Sequence, residues 1–137
     1  MIALILFLLV AIGTPVLAQS PEAALKTDLI WEQERLDDEI TKTRTSYNQG
    51  LEDYRVKSKN QAIAADQYES LNTLASLEDL VSKTRNLALS RDQVMFDYFT
   101  LLKLNLISAT GVELELKDKY LTTLDQALEF LTLHQNL

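Results

Sequence analysis

The sequence predicts an all-α protein, a long antiparallel, coiled-coil-like helical hairpin with a shorter third helix. Three observations carry this reading. Apolar residues make up 47% of the 137 residues, and turn residues are scarce, with only 3 Gly and 2 Pro. Apolar side chains also recur in heptad steps. An all-β chain needs far more turn chemistry, and a disordered one is poorer in apolar residues. The length suits one domain.

The first segment, "MIALILFLLVAIGTPVLAQS", has an uncharged apolar run from Ile2 to Ile12, then Gly13, Pro15 and "VLA". Small residues at −3 and −1 suit cleavage after Ala18, so residues 1–18 read as a signal peptide and 19–137 as the helical domain. The n-region lacks Lys and Arg, and the rival reading is an uncleaved membrane anchor, since a helix from Met1 to Ala18 is ~27 Å long. Either reading exports the rest of the chain, to the periplasm, the envelope or outside the cell.

The first helix opens at "SPEAALKTDL", where Ser20 suits a cap, Pro21 the first helical position and Glu22 the positive end of the dipole. Ile40, Tyr47, Tyr54, Gln61 and Tyr68 lie seven apart, with Leu29 and Leu36 on the neighbouring row. This narrow stripe reads as a coiled-coil seam. The row passes through Gly50 unshifted, which predicts a continuous helix weakened there by about 1 kcal/mol, or a kink. The helix is expected to run from about Pro21 to Glu69, on the order of 70 Å.

A turn over Leu71–Ala75 follows, with Asn72 as a left-handed residue and Ser76 as the cap of the next helix. That second helix is expected from Ser76 to Ala109. Leu80, Leu87, Val94 and Leu101 form one row, and Ala88, Met95, Leu102 and Ala109 a second, widened by Phe99 and Leu106. Two rows imply packing against more than one neighbour. Asp97 and Lys103 interrupt the apolar stretch from Val94 to Ile107, which is too short to span a bilayer. Gly111 is the natural stop. "VELEL" then alternates like a short strand, and Leu121, Leu124, Leu128 and Leu131 recur at helical spacing, predicting a third helix from about Lys117 to Leu133 that packs on the apolar end.

Several function classes recede. The formal net charge of −7 disfavours nucleic acid and anionic lipid, leaving residues 1–18, if uncleaved, as the membrane contact. With no Cys there is no thiolate chemistry or Cys-type metal site. Glu32, Asp38 and Glu39 are hard oxygen donors without a calcium-loop pattern or a Glu-x-x-His motif, so they read as a solvated face, with Asp38 and Lys42 paired at i,i+4. His134, the lone histidine, reads as a surface side chain, and Trp31 as seam packing. Neither a catalytic set nor a cofactor site is expected.

The residues from Leu51 to Gly111 resemble the C-terminal helical hairpin of TolC-like outer-membrane efflux proteins. "QYESLNTLASLEDLV" supplies Tyr68, Ser76, Leu77, Asp79 and Leu80 of the family's tip motif. "SRDQVMFDYFTLLKLNLISATG" supplies Arg91, the aromatic cluster, the Leu-rich stretch and the stop at Gly111. The tip glycine, the first repeat and the β-strands of that family are absent. The resemblance implies a hairpin whose tip contacts a protein partner and whose long helices assemble. The expectation is therefore a non-catalytic exported scaffold or assembly protein, forming a homo-oligomer or binding another helical envelope protein. A stand-alone exported bundle that binds an envelope protein is the alternative. Leu71, Asn72, Thr73 and Leu74 are the candidate tip contacts, while Tyr47, Tyr54, Tyr68, Leu87, Val94 and Leu101 are the candidate core or self-association seam. Burial of both Leu71 and Leu74 against the helices would leave a plain turn.

Overall fold

The computed structural model describes residues 21–135, and the signal-peptide reading of 1–18 and the Ser20 cap lie outside them. Three helices account for nearly all of these residues: α1 (Pro21–Leu71), α2 (Leu74–Ser108) and α3 (Leu114–Gln135). Among the described residues there is no strand. α1 alone has 51 residues, a rod of ~77 Å.

α1 and α2 form the antiparallel hairpin and α3 packs on α2, whereas α1 and α3 do not pack against each other. The molecule is thus an open, three-helix layer with α2 in the middle. The two apolar rows of α2 are what this position requires. Few side chains become fully buried. Among the described residues Ala64, Leu104 and Leu131 are the buried apolar ones, joined by the polar Ser76, Ser90, Asp92 and Asp97.

α1 runs unbroken through Gly50, which faces α2 at close range. A Cβ there would stand 3.3 Å from Val94 Cγ2 and 3.8 Å from Asp97 Oδ2. The glycine opens room for α2 at the cost of helix propensity.

The turn is tighter than the sequence suggests. Only Asn72 and Thr73 are non-helical, and Asn72 adopts φ 46°, the left-handed geometry that ends α1. Thr73, rather than Ser76, is the N-cap of α2. Its Oγ1 accepts from the Ser76 amide at 3.2 Å, and its own amide donates to Ser76 Oγ at 3.1 Å. Ser76 is the reciprocal partner in this capping box, so either hydroxyl fits a cap pattern in sequence. Starting the helix at Leu74 also moves Glu78 and Asp79 out of the first turn.

At the other end, Ala109 stops α2 in an extended conformation, and Gly111 takes φ 80°. "VELEL" is not a strand, because α3 begins at Leu114, three residues earlier than the Leu periodicity indicates. Lys117 then reaches back, and its Nζ donates to the carbonyls of Ile107 at 2.8 Å and Ala109 at 3.2 Å. This cation satisfies the carbonyl end of α2 where the helix dipole favours positive charge.

Candidate interaction surfaces and the polar seam

The hairpin tip projects its apolar side chains into solvent. Leu71 is 64% exposed and Leu74 72% exposed, with Ile63 and Val81 also exposed further along each helix. A shallow groove lined by Ile63, Asp66, Gln67, Ser70 and Leu71 runs along the last turns of α1. Asn72 and Thr73 themselves are exposed and are consumed in making the turn. No Lys or Arg occurs between Asn60 and Ser82, whereas Asp66, Glu69, Glu78 and Asp79 surround the tip.

The opposite end is equally open. The register set by Ser46–Asp97 and Asp53–Ser90 brings Ser108 level with about Arg35, so the amino-terminal turns of α1 extend past α2 by roughly 20 Å. A groove lined by Leu29, Glu32, Gln33, Arg35, Leu36 and Ile107 marks where α2 ends beside α1. At and beyond it Leu25, Leu29 and Ile30 are exposed, and Trp31 is 64% exposed. Within the described chain Trp31 therefore does not pack into the seam. Leu25 and Leu29 continue the face that Leu36 and Ile40 turn toward α2, since i,i+4 and i,i+7 steps share a helix face.

Between the two ends lies the seam. Tyr47, Tyr54 and Tyr68 of α1 and Leu87, Val94 and Leu101 of α2 are all half-buried. The Tyr47 ring stands 5.9 Å from that of Tyr98, within aromatic contact range. The polar pairs that thread this seam escape sequence reasoning. Ser46 Oγ donates to Asp97 Oδ2 at 2.8 Å, and Gln93 Nε2 donates to Asp97 Oδ1 at 3.0 Å. Two helical turns further toward the tip, Ser90 Oγ donates to Asp53 Oδ2 at 2.8 Å, while Lys57 Nζ meets the same oxygen at 2.7 Å. The Lys57 and Ser90 hydrogen bonds hold the Asp53 carboxyl below its ordinary pKa. Such pairs fix register, because a slip of one turn strands both partners.

The α2–α3 contact has its own polar centre. Asp92 is 2% exposed and both of its oxygens are engaged. Arg91 Nε and Nη2 donate to Oδ1 at 3.2 and 3.1 Å, and His134 Nδ1 lies 2.5 Å from Oδ2. Burial pushes this carboxyl up, but the hydrogen bonds from His134 and Arg91 outweigh it and hold the pKa below the usual value. Phe130 stacks on the imidazole with centroids 6.2 Å apart. His134 is exposed, as its sequence position suggests, but it also pairs with Asp92 and stacks on Phe130. A lone histidine three residues after Leu131, on the buried face of α3, was the available signal.

Asp38 is matched by Lys42 at 2.7 Å, and among the described residues no three His, Asp or Glu groups converge to hold a metal. Among the described residues no helix is long and apolar enough to cross a membrane. Comparison with protein-family models, with curated proteins and with solved structures finds no match.

Proposed function

We propose that this chain is an exported, non-catalytic assembly component whose two open hairpin ends are contact surfaces. The observation that carries the proposal is the seam face of α1, which runs past the end of α2 with Leu25 and Leu29 uncovered. A helix of 51 residues is paired by α2 over only part of its length. Apolar patches of this kind on a soluble surface mark contact sites. Self-association is the simplest cover, because assembled long helices bury each other's overhangs. The resemblance of Leu51–Gly111 to a TolC-like hairpin points the same way and adds a partner-facing tip.

A second reading, binding of another envelope protein, is favoured by the tip itself. An apolar cap of Leu71 and Leu74 ringed by Asp66, Glu69, Glu78 and Asp79 suits a protein surface that offers an apolar socket edged with Lys or Arg. Light scattering on the mature protein over a range of concentrations tests the first reading. A defined oligomer is expected, and it should survive Leu71→Asp with Leu74→Asp if assembly uses the overhang. A monomer at every concentration removes the self-assembling scaffold and leaves the tip-binding protein.

A further inference from the structure

Ser108 ends α2 between two uncovered apolar features. On one side of that level the overhang of α1 carries Leu25, Leu29 and Ile30, all exposed. On the other, a groove of about 300 Å³ runs between α2 and α3, lined by Leu102, Leu106, Tyr120, Thr123 and Leu124. Leu102 and Tyr120 stay exposed there, and Leu106 and Leu124 half-buried. The overhang of the same chain does not fill this groove, because α1 and α3 do not touch and α2 stands between them.

We propose that the groove seats the overhang of a second copy of this chain, in a two-fold pair in which each overhang lies in the other copy's groove. The inference rests on the reading that self-association covers the overhang, and it names the surface that does so. Three observations select this occupant. The first is reach. By the register of the hairpin, Leu25 and Leu29 lie ~15 and ~9 Å beyond the end of α2, while Leu102 and Leu106 lie ~9 and ~3 Å before it. Two copies set end to end about a two-fold axis, with their α2 ends ~6 Å apart, bring both overhangs level with both grooves at once. The second is charge. The overhang carries Asp28, Glu32 and Glu34. The walls of the α2–α3 groove hold no acid, and the exposed Lys119 stands one turn from Thr123. The tip groove is a poorer seat, since it includes Asp66 and no Lys or Arg occurs between Asn60 and Ser82. The third is area. A stable interface uses about 20–30 residues a side, more than one overhang, residues 21–34, presents. Reciprocal insertion engages an overhang and a groove from each chain, doubles the contact and closes the assembly at a dimer.

The chain has no Cys, so single introduced cysteines report the contact without interference. Leu29→Cys and Leu102→Cys proteins, one of them tagged, are mixed, left to exchange and treated with a short bifunctional maleimide. Both positions are exposed in the single chain, and one cysteine per chain makes every bridge intermolecular. Mixed bridges should form about tenfold faster than bridges in either protein alone, because the pairing holds those two sites at high effective concentration. Tyr120→Glu, which lies in the groove and outside the overhang, should weaken dimerisation about tenfold in sedimentation, with helicity unchanged. A monomer at every concentration removes this pairing together with the self-association beneath it. An oligomer whose mixed bridges form no faster than self-bridges, or one indifferent to Tyr120→Glu, leaves self-association standing and overturns the groove as its seat.

Discussion

Thr100 sits in the body of α2 with its hydroxyl buried and without a hydrogen-bond partner. An unmet buried hydroxyl costs on the order of 1–3 kcal/mol, and Val has nearly the same shape without it. Thr100→Val is therefore expected to raise stability by about 1 kcal/mol, read as a higher urea midpoint with an unchanged slope. Asp92 makes the opposite kind of contribution. Its folded pKa lies below the ordinary carboxylate value, so its stabilisation is present above that value and is lost as pH falls through the folded pKa. Acid should accordingly release α3 before the hairpin unfolds. Asp92→Asn should flatten this acid step in a melting series taken below about pH 4, the unperturbed carboxylate range. If native and variant proteins lose stability in parallel there, Asp92 is not the linked group. Neither residue announces itself in sequence. Asp92 is one of many acids in a helical pattern, and its significance comes from a histidine 42 positions away.

At the scale of elements, Gly50 is a point of close contact between α1 and α2. Its missing Cβ would already meet Val94 at 3.3 Å, so a long side chain must push the helices apart. Gly50→Leu should destabilise by about 1–3 kcal/mol despite its better helix propensity, the range for overpacking a close contact. A stabilised Gly50→Leu protein would mean that the helices are not in close contact there. What the sequence makes legible at this scale is whatever repeats locally. The heptad row through Tyr47, Tyr54 and Tyr68 reveals one long helix, and Asn72 reveals the turn. The boundaries are harder, because Thr73 and Ser76 both carry the hydroxyl of a cap and only their reciprocal bonds assign the roles. The alternation in "VELEL" misleads because five residues are too few to separate a strand from the first turn of a helix. Ser46–Asp97 and Asp53–Ser90 are invisible to any spacing rule, since each joins residues on different helices.

The whole molecule is an open layer rather than a closed bundle, and this shapes the functional account. α2 is covered on two sides, while α1 and α3 each keep an uncovered flank. Sequence length already implied that a helix of this size outruns its partners. The structure adds the location of the excess, at the amino-terminal turns of α1. An aspartate at both Leu25 and Leu29 should weaken assembly through the overhang without lowering helicity, since both side chains are exposed in the single chain. Unchanged assembly in sedimentation would place the contact elsewhere. The central claim, that the overhang is covered in an assembled state, is tested most directly by Trp31, the sole tryptophan of the chain and 64% exposed within it. Its fluorescence should resemble a solvated indole at high dilution. As concentration rises and oligomers form, the emission should move to the blue and acrylamide quenching should fall in step. Emission and quenching that stay those of an exposed indole, in a protein that light scattering finds oligomeric, would contradict the claim.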